Sequence, residues 1–177
     1  IHIPANVTEI EERTFTGCNL KYISVDNNNE RYDSRNSCNA VIETESNRLI
    51  IGSANANIPA DIKGIGAYAF AANGYLTSIT IPEGVEYFED YAFYDCWNLT
   101  SVSLPQSLRE IGNYAFNYCS NLQSINIPEN VTWIGSICFG HSALTSFTFP
   151  QNTESVSWAS LAYCDNLEKV EIPASVQ

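Results

Sequence analysis

The sequence predicts a solenoid of the α/β type that is mostly β and irregular, wound as a right-handed coil with a parallel sheet on one face. Six of the seven prolines lie 22 or 23 residues apart, at Pro59, Pro82, Pro105, Pro128, Pro150 and Pro173. Each proline follows an apolar alternation, where a strand would meet a residue that cannot donate to a sheet ladder. The spacing therefore predicts one strand in each turn of the coil.

The repeat places apolar side chains at fixed positions, best seen from Pro105 to Ile127. Two apolar residues at alternate positions continue each strand on one face, namely Ile79/Ile81, Val102/Leu104, Ile125/Ile127, Phe147/Phe149 and Val170/Ile172. The opposite wall comprises Ile65, Phe88, Ile111, Ile134 and Val156, followed by Phe70, Phe93, Phe116, Phe139 and Leu161. Stacking of the coils predicts one continuous core. A strand-containing unit of about 22 to 23 residues lies in the leucine-rich-repeat range.

Residues 1–177 are predicted to form a single leucine-rich-repeat solenoid. Solenoids need terminal repeats with a polar outer face, and the sequence shows no such repeat at either end. We therefore expect the chain to be a fragment of a longer array, and the alternative is that its end repeats are frayed.

An enlarged repeat is predicted at residues 26–58, where Asp26 stands in place of the expected proline. Its insert contains the apolar segments 40–44 and 48–51 around a polar turn, which predicts a β-hairpin projecting from the solenoid. Inserted loops often carry function in repeat proteins. The alternative is that the hairpin only covers the core of one widened turn of the coil.

The net charge of −12, with only eight lysines and arginines, argues against a nucleic-acid partner. The apolar stretches are a few residues long, so direct membrane insertion of this segment is not expected.

The positions of the cysteines and histidines are explained by the repeat and do not indicate a reactive site. Cys18, Cys96, Cys119 and Cys164 share one slot, and Cys138 occupies a slot that holds alanine elsewhere, so we expect free, mostly buried thiols. Metal sites need clustered ligands, whereas the chain has only two histidines and no closely spaced cysteine pair. The pair Cys138 and His141 comes nearest to a reactive site, and the repeat scaffold explains both residues better.

The sequence also lacks the residue patterns of the common hydrolase active sites. The sequence offers no Ser/His/Asp arrangement and no pair of carboxylates suited to glycoside hydrolysis. We therefore expect no enzyme activity, no catalytic residue, no metal site and no cofactor.

Two sets of side chains are left for partner binding. Strand residues that point away from the core form a column of small polar groups: Ser78, Thr80, Ser101, Ser103, Ser124, Asn126, Ser146 and Thr148. Tyr87 and Trp133 share another slot and can stack on a sugar or a protein. The alternatives are that the polar groups hydrogen-bond along the stack and that the aromatic residues shield the coil.

The repeat motif resembles the BspA-like leucine-rich repeats of bacterial surface proteins. Residues 109–128 match that motif at almost every framework position, and residues 32–44 look like an insert that recurs in the family. The resemblance implies a secreted or surface-anchored bacterial protein and an extracellular or cell-surface location. It also implies adhesion to host matrix proteins and to other bacteria. We therefore expect a protein-interaction or adhesion module whose partner is a host matrix or other surface protein, with a glycan-binding module as one alternative. The other alternative function is a passive spacer that displays another domain.

Overall fold

A computed structural model describes residues 1–153 and 155–176 and contains a β-solenoid of about seven turns. Thirteen short strands and one 3-10 turn at Arg35–Ser37 make up its regular secondary structure in the described residues. The strands are β1 (His2–Ile3), β2 (Ser24–Val25), β3 (Tyr32–Asp33), β4 (Ala40–Glu43), β5 (Arg48–Gly52), β6 (Gly64–Ile65), β7 (Ser78–Thr80), β8 (Tyr87–Phe88), β9 (Ser101–Ser103), β10 (Glu110–Ile111), β11 (Trp133–Ile134), β12 (Ser146–Thr148) and β13 (Lys169–Glu171).

The predicted leucine-rich-repeat coil with stacked parallel strands is confirmed, but the longest sheet lies on the wall opposite the proline-terminated strands. That sheet has seven strands in the order β11-β10-β8-β6-β5-β4-β3. The strands that end at the proline slot form only pairs: β1 with β2 at the start of the chain, and on the later turns β7 with β9 and β12 with β13. Residues 123–127 carry the same apolar alternation without forming a strand, which separates the two later pairs.

The centre of the core is a column of phenylalanine rings, one from each turn. The rings of Phe70, Phe93, Phe116 and Phe139 lie nearly parallel, with centroids 5.1, 5.0 and 5.5 Å apart. All four side chains are buried. Each ring therefore packs on the equivalent ring of the neighbouring turn, which is the stacking that the repeat spacing predicts.

In three turns the cysteine slot links the turn to the one before it, whereas Cys18 in the same slot is exposed. The Sγ atom of Cys96 donates to the carbonyl oxygen of Phe70 at 3.1 Å, and Cys119 donates to that of Phe93 at 3.3 Å. Cys164 makes the equivalent contact with Phe139. The same three carbonyl oxygens also accept the backbone N–H groups of Asn73, Cys96 and Ser142, so each thiol adds a second hydrogen bond that links two turns.

The hairpin of β4 and β5 lies within the solenoid and does not project from it. Its Ala40, Ile42 and Leu49 side chains belong to the main core, whereas Val41 and Ile51 pack against the first turns of the chain. The hairpin joins the long sheet by the pairing of β5 with β6, and both of its faces are buried because one packs on the main core and the other on the first turns. The hairpin therefore divides the core into two clusters, which corrects the expectation of one continuous core.

The last turn is more open than predicted. Val156, Val170 and Ile172 were expected in the core, yet they are 37%, 39% and 58% exposed, and Leu161 is only half-buried. No further turn of the described chain stacks on these side chains. Their apolar pattern follows the repeat, but burial of a residue in a solenoid requires a neighbour on both sides.

Candidate functional site

The small polar side chains expected to face away from the core are exposed in the structure. The register of β7 and β9 places Ser78 beside Ser101 and Thr80 beside Ser103. Ser124, Asn126, Ser146 and Thr148 continue the column on the later turns and are also exposed. We call these eight residues the hydroxyl face. Within residues 1–153 and 155–176, Thr148 alone among them uses its side chain in a hydrogen bond, to Glu171.

Tyr87 and Trp133 lie on the long sheet and are therefore separate from the hydroxyl face. The strand register aligns one residue from each strand of that sheet into a row, comprising Tyr32, Glu43, Arg48, Gly64, Tyr87, Glu110 and Trp133. The row places Glu110 between Tyr87 and Trp133. The ten residues proposed from the sequence thus divide into two surfaces, eight on one wall and two on the other.

The hairpin end of this row is balanced in charge. Arg48 donates to both carboxylate oxygens of Glu89 at 2.9 Å and to Glu43 at 3.3 Å. A hydrogen bond from the Ser46 hydroxyl, together with the positive charges of Arg48 and Arg31, holds the pKa of Glu43 below its ordinary value. These contacts fix the hairpin to the solenoid.

The other end of the row is not balanced. The carboxylate of Glu110 is exposed and has no ion pair or side-chain hydrogen bond in the part of the chain that the structure describes. The guanidinium of Arg109, the preceding residue, donates to the carbonyl oxygens of Gln106 and Leu108. Glu110 was not among the candidates from the sequence. Its position five residues after a proline, as for Tyr87 and Trp133, is the signal that identifies it.

A shallow cleft of about 370 Å³ lies over this part of the sheet, between Tyr87 and Trp133. The ring of Tyr87 leans onto the preceding strand, where a β-carbon on Gly64 would come within 2.2 Å of its Cζ atom. Burial, and after it the charge of Glu89, raises the pKa of the Tyr87 phenol. Trp133 is 41% exposed at the other side of the cleft.

A second, more enclosed cavity of about 270 Å³ lies where the insert interrupts the repeat. The turn at residues 9–17 covers it from one side, and the guanidinium of Arg13 lies over the Tyr68 ring at 5.1 Å. The buried hydroxyl of Thr16 has no hydrogen-bond partner among the described residues. Arginines and carboxylates both line this cavity, so its charge does not favour one class of ligand.

Cys138 and His141 are held by the scaffold, as the repeat pattern suggests. Cys138 is fully buried, and burial raises the pKa of its thiol. The imidazole of His141 lies between the rings of Tyr118 and Tyr163, with centroid distances of 4.3 and 4.5 Å. In the described residues no group of three or more histidine, cysteine, aspartate and glutamate side chains is arranged to hold a metal. The described part of the chain also contains no helix with the length and apolarity needed to cross a membrane.

Three solved structures show the same coil. A leucine rich cell surface protein from Faecalibacterium prausnitzii is 27% identical, with a TM-score of 0.82 over 97% of this chain and 47% of its own. A leucine-rich repeat protein from Bacteroides ovatus is 27% identical, with a TM-score of 0.69 over 82% of this chain and 40% of its own. The pneumococcal vaccine antigen PcpA is 17% identical, with a TM-score of 0.66 over 99% of this chain and 43% of its own, and it shares the fold. The chain thus spans less than half the length of these three proteins.

The comparison with curated proteins finds no match. The family profile of the BspA type leucine rich repeat region matches in six copies, over residues 1–45 and 52–168. These copies contain five of the six grid prolines, from Pro59 to Pro150, the phenylalanine column and strand β4 of the hairpin. The chain therefore belongs to the BspA-type leucine-rich-repeat family.

Proposed function

We propose that this chain is a non-enzymatic protein-interaction or adhesion module of a secreted or cell-surface bacterial protein. The observation that carries the proposal is the hydroxyl face. Seven of its eight exposed side chains have no side-chain hydrogen-bond partner in the described residues, so their donors and acceptors are free for a partner. This favours recognition of another molecule over the alternative that the column bonds along the stack.

The partner class is a host matrix protein or another surface protein. Family membership supports this assignment, and so does the likeness to a leucine rich cell surface protein of F. prausnitzii. A partner's polar groups would exchange bonds to water for bonds to the hydroxyls of Ser101 and Ser103. Net gains from such exchanges are modest, so affinity would depend on many contacts along the coil.

A binding screen with a matched pair of variants tests the proposal. The purified chain is tested against immobilised matrix proteins, mucins and glycans. The double variant Ser101→Arg/Ser103→Arg places two large side chains in the middle of the hydroxyl face and should lower binding to any protein partner at least severalfold. The control Gln106→Arg/Ser120→Arg adds the same charge at exposed positions outside that face and should retain binding.

The possible results separate the proposed function from its alternatives. Binding to a protein that is lost only in the first variant supports the interaction module. Binding to a glycan and to no protein would support the alternative of a glycan-binding module. An absence of specific binding to the whole panel would contradict the proposal and favour a passive spacer.

A further inference from the structure

We propose that the cleft between Tyr87 and Trp133 binds an arginine or lysine side chain in a basic segment of a protein partner. The inference rests on the proposed interaction function and adds the chemistry of the partner. It starts from the row of aligned residues on the long sheet, in which Glu110 lies between two aromatic residues.

The geometry suits a cation. Neighbouring strands lie about 4.8 Å apart, so the backbones of Tyr87 and Trp133 are about 10 Å apart with the Glu110 carboxylate between them. The lean of Tyr87 onto Gly64 keeps its ring out of the space above Glu110. A side-chain cation in that space meets one carboxylate in a cleft that Tyr87 and Trp133 also line, and aromatic rings attract cations through their electron-rich faces.

The charge of the cleft has one sign. Its lining contains the carboxylates of Glu12, Glu89, Asp90 and Glu110 and, within residues 1–153 and 155–176, no lysine or arginine. Arg48 neutralises Glu89, and the Asp90 carboxylate accepts hydrogen bonds from the backbone and side chain of Asn113. Glu110 is left without such a partner.

The charge of the whole chain acts in the same direction. A net charge of −12 steers basic partners toward the surface and repels acidic ones. A polyanionic partner would meet the carboxylates of Glu12, Asp90 and Glu110, which have no ion pair among the described residues, and is disfavoured for that reason. A basic peptide segment is the occupant whose charge complements both the cleft and the protein.

Binding of two synthetic hexapeptides to the purified chain tests this inference. One peptide alternates glycine with arginine, and the other alternates glycine with glutamine. Calorimetric titration should detect the arginine peptide and no binding of the glutamine peptide. Raising the salt concentration from about 0.05 to 0.5 M should weaken the interaction, because exposed charges are screened.

Three variants locate the site. Glu110→Gln keeps the shape of the side chain and should weaken the arginine peptide about two- to fivefold. Trp133→Leu should weaken it about three- to tenfold through loss of the aromatic face. Glu168→Gln makes the same charge change at an exposed position away from the cleft and should leave affinity unchanged. Unaltered denaturation midpoints would show that the variants are folded.

Several results would overturn the inference. These are equal binding of both peptides, equal effects of Glu110→Gln and Glu168→Gln, or an unchanged affinity in Trp133→Leu. A neutral oligosaccharide that binds through Trp133 without any effect of Glu110→Gln or salt would make the cleft a sugar site instead. A protein partner that is sensitive to Ser101→Arg/Ser103→Arg but not to Glu110→Gln would preserve the proposed function and remove this inference alone.

Discussion

The ring of Phe116 lies parallel to the ring of Phe93 in the preceding turn, with 5.0 Å between the centroids and 1° between the planes. Phe139 covers the other face of Phe116 at 5.5 Å, and Phe88 meets its edge at 6.1 Å. Phe116 therefore contacts rings from both neighbouring turns, Phe93 and Phe88 from the preceding turn and Phe139 from the following one. Loss of this side chain would leave a cavity in the middle of the core.

Phe116→Ala should lower the free energy of unfolding by about 3 to 5 kcal/mol, the usual cost of truncating a buried aromatic residue. Urea denaturation measures the change. Ser124→Ala on the exposed hydroxyl face is the control and should remain within about 0.5 kcal/mol of the parent. A loss below about 0.5 kcal/mol for Phe116→Ala would mean that the phenylalanine column is not the stabilising core.

Gly112 and Gly66 occupy the same repeat slot but should respond differently to alanine. A β-carbon on Gly112 would lie 2.5 Å from the carbonyl carbon of Glu89 and 2.6 Å from the nitrogen of Asp90. At Gly66 the nearest atom would be the Leu49 carbonyl oxygen at 3.0 Å. Backbone atoms yield little, so Gly112→Ala should cost about 1 to 3 kcal/mol, the range for overpacked sites.

The control Gly66→Ala should cost less, under about 1 kcal/mol, because its neighbours need to move only slightly. Denaturation curves of the two variants provide the comparison. Equal losses would show that the close approach of the preceding turn is not what selects glycine at this slot.

The repeat pattern correctly predicted the burial of residues whose surroundings are the same in every turn. Phe93 and Phe116 are examples, because each is covered by its equivalents and the spacing alone places them in register. Val170 and Ile172 follow the same pattern and are exposed, since stacking needs a second neighbour that the pattern cannot supply. Periodicity therefore predicts which face a residue occupies and not how deeply it is buried.

The candidate surfaces were predictable only in part, for a related reason. The hydroxyl face follows from the alternation along single strands, so all eight of its residues could be identified from the sequence. The aromatic cleft depends on a register between strands that are 23 residues apart and on the lean of Tyr87 over Gly64. Glu110 occupies the same repeat position as Tyr87 and Trp133 but is not aromatic. A search for aromatic residues at that position therefore does not find it.

The ion pair of Arg48 with Glu89 should stabilise the hairpin within the solenoid. Both side chains are less than a third exposed, and the Nη1 atom of Arg48 donates to both carboxylate oxygens of Glu89. Glu89 also accepts a hydrogen bond from the backbone nitrogen of Ala67. Arg48→Gln should therefore lower stability by about 1 to 2 kcal/mol and speed amide hydrogen exchange in residues 40–52.

The exposed pair of Lys63 and Glu86 is the matched control. Its side chains are 53% and 55% exposed, so Lys63→Gln should change stability by less than about 0.5 kcal/mol. If exchange in the hairpin rose equally in both variants, the effect would come from overall charge and not from the contact between Arg48 and Glu89.

Buried thiols should make the protein less stable at high pH. Burial raises the pKa of Cys96 from 9.0 to about 12, and it also raises the pKa values of Cys119 and Cys138. Above about pH 9 the unfolded chain ionises these thiols while the folded chain keeps them protonated, so the folded state binds more protons. The stability present below pH 9 should therefore fall as pH rises toward 12, by at most about 1.4 kcal/mol per pH unit for each thiol.

Urea denaturation of the parent and of the variant Cys96→Ser/Cys119→Ser/Cys138→Ala, at a series of pH values, isolates this contribution. Serine can donate to the same carbonyl oxygens of Phe70 and Phe93, and alanine fills the Cys138 slot in other turns. Tyrosines with raised pKa values titrate in both proteins, so the difference between the two curves reports the thiols. The variant should lose less stability above pH 9, since its replacement groups do not ionise. Parallel curves would mean that the three thiols have similar pKa values in the folded and unfolded chains, and that burial in this core does not hold them protonated.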